Sequence, residues 1–202
     1  MGKLLIIVAL AFVALIVIVG GVFFYSFYVT IPNKMVVLDE SVTNQWANVE
    51  SVYQRRADLI PNLVNTVKGY AAHEEEVLVG VTQARANATS VNVDASKLDA
   101  STIEKFNTAQ SGLTSALSRL LVTVEKYPEL KANQNFLELQ AQLEGTENRI
   151  AVERMRFNEE VKNFNVYIRK FPNSIVADRE GYEPKSPFKA EEGSEKAPSV
   201  QF

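Results

Sequence analysis

Apolar residues follow one another without interruption over Leu4–Phe24, and no charged or strongly polar side chain breaks the run. As a helix this segment is about 31 Å long, which is close to the thickness of the hydrocarbon core of a bilayer. A cleaved signal sequence has a shorter apolar core, whereas this run continues into Tyr25 and Tyr28, aromatic residues typical of a membrane interface. We therefore predict a single transmembrane anchor over residues 1–31.

Beyond the anchor, apolar positions recur with alternating spacings of four and three residues. This period is typical of long helices that pack through one face. It predicts helices over residues 36–89, 101–127 and 134–171, and Ser101 with Glu104 is expected to form a capping box at the start of the second helix. The predicted buried positions of the first helix include Val42, Trp46, Val49, Tyr53, Ile60, Leu63, Val67 and Val81.

The segments that connect these helices are short, so consecutive helices are expected to be antiparallel neighbours. We predict an all-α fold in which the transmembrane helix is followed by an antiparallel up-and-down bundle over residues 36–171. Pro61 leaves two alternatives open. A kink near 58–61 gives a bundle of three helices, whereas a break there, with Asp58 as the N-cap, gives four.

The helical periodicity stops after Phe171, and the remaining residues 172–202 are rich in proline and charge. This composition predicts an extended or disordered C-terminal tail. Its apolar residues are expected to be able to dock along the bundle; they are Ile175, Val176, Tyr182 and Phe188.

Composition limits the chemistry of the chain. The formal net charge of −3 argues against a nucleic-acid partner, because nucleic-acid binding requires a basic face. The chain has no cysteine and a single histidine, His73, so it contains neither a thiolate metal site nor a multi-histidine site nor a Ser-His-Asp triad. We predict no catalytic residue, no metal and no cofactor, and therefore a protein that is not an enzyme.

Charged residues interrupt the apolar faces at Arg56, Glu74 and Glu153. A charge at such a position is costly unless it is paired or lies near an end of the bundle. Two interpretations remain open: these side chains extend to the edge of the core, or they form a buried ion pair that fixes the helix register. Other polar residues cluster beside the apolar faces and form either a solvated surface or an interaction face; they are Arg55, Asp58, Glu144, Glu147, Asn148 and Arg149.

Two runs of the chain resemble the LemA family. Segment 46–74 contains YQRRADLIPNLV, and segment 135–158 contains NFLELQAQLEGTENRIA. The resemblance implies one membrane helix, an antiparallel helical bundle on the cytoplasmic side and no established enzymatic activity, and one relative is tied to magnetosome membranes. Phe157 and Phe164 stand where the family often has tyrosine before asparagine.

Two observations give opposite predictions for the side of the membrane on which the bundle lies. The distribution of lysine around the anchor, with Lys3 before it and Lys34 followed by Asp39 and Glu40 after it, slightly favours a bundle outside the cytoplasm. The family resemblance implies the cytoplasmic side. In either case the expected location is the inner or plasma membrane, crossed once.

These features favour a membrane-anchored scaffold or adaptor that forms homo-oligomers and organises an assembly at the membrane surface. Its predicted partners are the bilayer, through the N-terminal helix, and copies of itself; no other protein partner is identified by the sequence. The alternative is a membrane-tethered sensor in which a partner or ligand shifts the helix at Pro61 and so changes the packing of the bundle.

Overall fold

One continuous helix runs from the apolar N-terminus into the body of the protein. The computed structural model describes residues 2–95 and 97–189. Helix α1 (Gly2–Tyr25) passes through a π-helical turn (Ser26–Thr30) directly into α2 (Ile31–Lys68), so that Gly2–Lys68 forms a helix of 67 residues. The apolar part is fully exposed and is long enough to cross a membrane. The anchor therefore continues into the bundle without an intervening loop, and the core begins at Ile31, earlier than predicted.

The body of the protein is an antiparallel bundle. Helix α2 leads away from the anchor and α3 returns toward it, after which α4 leads away and α6 returns. No strand occurs in the two described ranges, which confirms the predicted all-α class. The remaining helices are α3 (Glu75–Ser90), α4 (Ala100–Val124), the short α5 (Pro128–Lys131), α6 (Gln134–Arg169) and α7 (Asn173–Glu180).

The first predicted bundle helix is divided, but not at Pro61. Helix α2 continues through Pro61 and ends at Lys68, and Asp58 accepts a hydrogen bond from Gln54 within the helix instead of capping a new one. The prediction of one helix over 36–89, kinked near 58–61, was therefore wrong, since the chain reverses between Gly69 and Glu74. The apolar period continues across this turn, which is why the pattern alone did not indicate it.

A contact from the neighbouring helix explains why Pro61 does not end α2. Proline has no N–H, so the carbonyl of Ala57, four residues earlier, loses its helical donor. The Nε of Arg85 on α3 donates to this carbonyl over 2.7 Å. The hydrogen bond that Pro61 removes is thus replaced by a side chain from another helix.

This replacement predicts a coupling between Arg85 and Pro61. We expect Arg85→Met to lower the free energy of unfolding by about 1–2 kcal/mol, because the Ala57 carbonyl loses its donor. In a Pro61→Ala background the loss should be smaller, since the substituted alanine supplies the helical N–H. A double-mutant cycle, followed by the fluorescence of the sole tryptophan, Trp46, measures the difference. Strictly additive effects of the two changes would contradict this account.

The buried apolar residues form two clusters along the bundle. The distal cluster joins α2 beyond Ile60 to α3, the second half of α4, α5 and the start of α6. The cluster on the side of α1 joins the first half of α2 to the start of α4, the second half of α6, and α7; we call it membrane-proximal because α1 is long and apolar enough to cross a membrane. Because α3 ends at Ser90, it does not extend along the membrane-proximal half. The connection after α3 and the C-terminal segment pack there instead, through Val93, Leu98 and Phe188.

The C-terminal segment is more ordered than predicted as far as residue 189. Residues 173–180 form α7, whose Val176 and Ala177 are buried against the membrane-proximal core, and Gly181 ends this helix with φ 76°. Burial of these two side chains stabilises a helix that the local sequence alone does not predict. Residues 182–189, which we call the strap, are extended and packed on the bundle. The rest of the predicted tail, 190–202, lies outside the described residues.

Helix α4 is capped by a different residue from the one predicted. Asp99 is the N-cap, and its carboxylate accepts hydrogen bonds from the backbone N–H of Thr102 at 2.7 Å and from the hydroxyl of Ser101 at 3.0 Å. These hydrogen bonds lower the pKa of Asp99. Ser101 therefore lies inside the helix, where it supports the cap.

Candidate functional site

A buried arginine lies at the centre of the bundle. The Arg56 side chain is 2% exposed and forms an ion pair with Glu147 of α6. It also donates to Gln110 Oε1 at 2.7 Å and to the Thr114 hydroxyl at 3.1 Å, both on α4. Gln110 in turn donates to the carbonyl of Ala88, in the last part of α3, at 3.3 Å. All four long bundle helices thus meet in one polar network.

Of the two interpretations of the charges on the apolar faces, the buried ion pair applies to Arg56. Its partner, Glu147, was predicted as part of the interaction face, and the structure brings the two groups together. Because the Glu147 side chain is 45% exposed, water screens this pair in part. We infer that the main effect of the network is to fix the register of α2 against α4 and α6.

The other two charged residues of the apolar faces lie nearer the edges of the core. Glu74 stands at the turn before α3 and accepts a hydrogen bond from the Tyr127 hydroxyl at 2.9 Å, which raises the pKa of Tyr127. Glu153 accepts from Gln45 Nε2 at 2.6 Å and pairs with Arg156 at 2.9 Å. Both carboxylates therefore have partners that link or support helices, and neither faces the other.

The rest of the predicted interaction face is on the surface. Arg55 and Asp58 are exposed on α2, and Glu144, Asn148 and Arg149 are exposed on α6. Their side chains are therefore available to a partner, in contrast to Arg56 between them.

A second group of residues, which sequence reasoning did not assign to a site, holds the strap. Phe188 of the strap is 4% exposed and inserts into an aromatic box formed by Trp46, Phe106 and Phe157. Its ring centroid lies 5.8 Å from that of Trp46 and 5.3 Å from that of Phe157. The guanidinium of Arg154 covers the Phe188 ring at 4.7 Å. Such aromatic and cation–π contacts favour one defined position for Phe188.

Two asparagines of α6 bind the main chain of the strap. Asn158 donates to the carbonyl of Phe188 at 3.0 Å and accepts from its N–H at 2.8 Å. Asn165 makes the same pair of bonds with Lys185, at 2.7 Å and 2.9 Å. We call these two residues the Asn clamp. Because an amide side chain carries one acceptor and two donors, each member satisfies both backbone groups of an extended residue.

Lys185 anchors the other end of the strap. Its side chain is 8% exposed, and its ammonium group lies 2.8 Å from the Asp39 carboxylate and 5.5 Å from the centre of the Phe164 ring. A buried lysine is tolerated because it is paired in this way. The strap is thus held by its backbone and by two side chains, Lys185 and Phe188.

The sequence contains a signal for this site. Phe157-Asn158 and Phe164-Asn165 repeat the same dipeptide seven residues apart, which places both pairs on the same side of a helix. Each phenylalanine is buried in the core, and each asparagine beside it reaches the strap. Helical periodicity identified the phenylalanines, but the partners of the asparagines depend on where the chain returns.

Comparison with known proteins supports the family resemblance. A LemA protein of Metamycoplasma hominis is 25% identical over 156 residues, covering 77% of this chain and 68% of that protein. The magnetosome protein MamQ of Magnetospirillum gryphiswaldense is 27% identical over 169 residues, covering 74% and 61%. Magnetosome protein MamQ 1 of Paramagnetospirillum magneticum is 26% identical over 171 residues, also covering 74% and 61%. This chain therefore spans about three fifths of the length of the MamQ relatives.

The sequence model of the LemA family matches residues 45–202, a range that contains both quoted runs, the Arg56 network, the aromatic box and the Asn clamp. The match extends over well more than half of the chain, and it confirms the resemblance drawn from the two runs. This protein belongs to the LemA family.

Proposed function

We propose that this protein is a non-enzymatic scaffold or adaptor, held at a membrane by α1, that associates with copies of itself to organise an assembly at the membrane surface. The observation that carries the proposal is the continuous helix Gly2–Lys68. Because the anchor and α2 form one helix, the bundle has a defined direction relative to the bilayer. Copies in one membrane then present the same faces at the same height, and their high local concentration strengthens weak lateral contacts.

The outer face of α6 supports this proposal. Exposed apolar and polar side chains both occur along it, and helical periodicity places them within one stripe. Met155 is 65% exposed, although it is a large apolar side chain. A mixed surface of this kind is typical of contacts between soluble faces of proteins. The stripe contains Leu137, Glu144, Asn148, Val152, Met155 and Val166.

The similarity to proteins named as magnetosome proteins also favours a role in a larger assembly. No activity is carried over from these relatives, because this chain spans only part of their length. The shared feature is the helical region that the alignments cover.

The proposal is tested by isolating two copies of the full chain from one membrane. Copies with different affinity tags are co-expressed, the membranes are dissolved in a mild detergent, and one tag is used for isolation. We expect the second tag to be recovered with the first, and a tagged single-pass protein of unrelated sequence to be absent. Recovery of one tag alone would contradict self-association.

The end of the bundle near the anchor offers a second contact with the bilayer. Gln45 of α2 contacts Glu153 of α6, and Arg56 contacts Glu147, so the two helices are antiparallel with a fixed register. In this register the C-terminal end of α6 lies beside the N-terminal end of α2. There Phe171, the last residue of the third predicted helix, is 82% exposed. It lies beyond Arg169, where the helix ends, and so turns away from the core.

Helix α7 lies at the same end of the bundle, where α2 begins. The guanidinium of Arg179 lies 5.1 Å from the centre of the ring of Tyr28, which is in the π-helical turn that follows α1. An exposed aromatic residue at the level of the interface is expected to enter the headgroup region.

We therefore predict that Phe171 contacts lipid. In a Trp46→Phe background, a tryptophan introduced as Phe171→Trp should be quenched by brominated lipids in reconstituted vesicles. The matched control is Val122→Trp, at another strongly exposed position (70%) near the distal end of α4, which should not be quenched. Equal quenching at the two positions would contradict the prediction.

A further inference from the structure

The groove that holds the strap has the properties of a peptide-binding site. The Asn clamp pairs with the N–H and C=O of Lys185 and of Phe188, the same groups that a neighbouring β-strand would use. The Ser186 N–H donates to the carbonyl of Leu98, in the connection before α4, at 2.8 Å. The N–H and C=O groups of the strap are thus bound by two different parts of the protein. The groove therefore selects a peptide whose backbone exposes these groups, as an extended chain does.

Two pockets add side-chain selectivity to this backbone recognition. The aromatic box accepts a phenyl ring, and Asp39 beside the Phe164 ring accepts a primary ammonium group. The groove therefore takes an extended peptide that carries a lysine and, three residues later, a phenylalanine. The strap, with Lys185 and Phe188, is the segment of this chain that carries this pattern.

The covalent connection of the strap is short and begins at Gly181, the residue that ends α7. Gly181 adopts a left-handed conformation with φ 76° at the end of α7. Residues 181–184 are exposed or half-buried, and when fully extended they span about 14 Å. A short connection of this kind permits the exchange of an element between copies, because the exchanged contacts are the same as those within one chain.

Membrane anchoring favours this exchange. The continuous helix Gly2–Lys68 holds the groove of every copy at the same height above the bilayer and in the same orientation. A strap that leaves its own groove therefore finds the groove of a neighbouring copy at the same height above the bilayer. The shared membrane also reduces the loss of translational and rotational freedom on association.

We propose that the strap is the link between copies: Lys185–Lys189 of one copy binds the groove formed by the aromatic box and the Asn clamp of the next. This inference rests on the proposed self-association and names the contact that carries it. When each copy passes its strap onward in one direction, the contact is head-to-tail and builds rings or chains.

Cysteine cross-linking tests the exchange, since the natural chain has no cysteine. Ala100 at the start of α4 and Pro187 of the strap line the same cleft. An Ala100→Cys chain with one tag and a Pro187→Cys chain with another are co-expressed and treated in membranes with a short bismaleimide. We expect a covalent dimer that carries both tags. A chain that carries both cysteines is expressed together with the cysteine-free protein. Cross-linking within this chain then measures the contact between the strap and the groove of the same copy.

The specificity of the cross-link is tested in the groove. Asn158→Ala with Asn165→Ala, introduced into the Ala100→Cys chain, should lower the yield of the two-tag dimer about tenfold, whereas Asn62→Ala, at an exposed position of α2, should not change it. Helical circular dichroism of both variants verifies that the bundle is folded. If the variant lacking the Asn clamp is poorly folded, Phe188→Ala in the Pro187→Cys chain is used instead, with the same expected loss.

Two results would overturn the exchange. One is cross-linking within the double-cysteine chain while the mixed single-cysteine chains stay monomeric. The other is a two-tag dimer whose yield does not depend on the Asn clamp or on Phe188. If tagged copies are still recovered together in either case, self-association stands and a different contact carries it; if they are not, both proposals fail.

Discussion

Replacing Trp46 with alanine is expected to lower the free energy of unfolding by about 4 kcal/mol, the largest loss that we predict for a single side chain. Trp46 is 1% exposed, and its ring contacts Phe106, Phe157 and Phe188. Alanine would leave a large cavity where α2, α4, α6 and the strap meet. Chemical unfolding in detergent, followed by helical circular dichroism, measures the loss.

Trp46→Phe is the matched control. The indole Nε1 is buried and has no hydrogen-bond partner among the described residues. Phenylalanine removes this unsatisfied group while it keeps an aromatic ring, so the two effects oppose each other and a change within about 1 kcal/mol is expected. If the alanine variant were as stable as the phenylalanine variant, the aromatic box would not be part of the stable core.

Replacing Arg56 with alanine is expected to cost about 3 kcal/mol. The substitution removes the stem of a buried side chain and leaves Gln110 and Thr114 without their donor. Glu147→Gln should cost less, about 1 kcal/mol, because Glu147 is half-exposed and glutamine still offers an acceptor. The sole tryptophan, Trp46, reports the unfolding of both variants by fluorescence.

The order of these two effects is the informative result. A larger loss for Arg56→Ala than for Glu147→Gln indicates that packing and hydrogen bonds within the network dominate over the ion pair. Equal losses would show that the charge interaction carries the energy, and the account of Arg56 as a residue that fixes helix register through several helices would then be wrong.

The main features of the fold could be predicted from the spacing of apolar residues. Val42, Trp46, Val49 and Tyr53 follow a period near 3.5 and are all buried, because a helix that packs through one face must repeat its apolar positions in this way. The same reasoning identified α4 and α6. The turn at Gly69–Glu74 was missed because Val77 and Val81 continue the period, although they belong to a helix that runs in the opposite direction.

The candidate site was predictable only in part. Arg56 and Glu147 were each singled out, but their pairing depends on the register between α2 and α6, which neither local sequence contains. The strap groove depends on a contact between Asn158 and Phe188, residues that come together only when the chain turns back after α7. A repeated Phe-Asn dipeptide on one side of a helix was the available signal.

The mass of the full-length protein, extracted in mild detergent and measured by light scattering with subtraction of the detergent, tests the central claim most directly. The account predicts a single defined species several times the mass of the 22.5 kDa chain. A uniform monomer would contradict self-association, and a uniform dimer would contradict assembly into a larger structure.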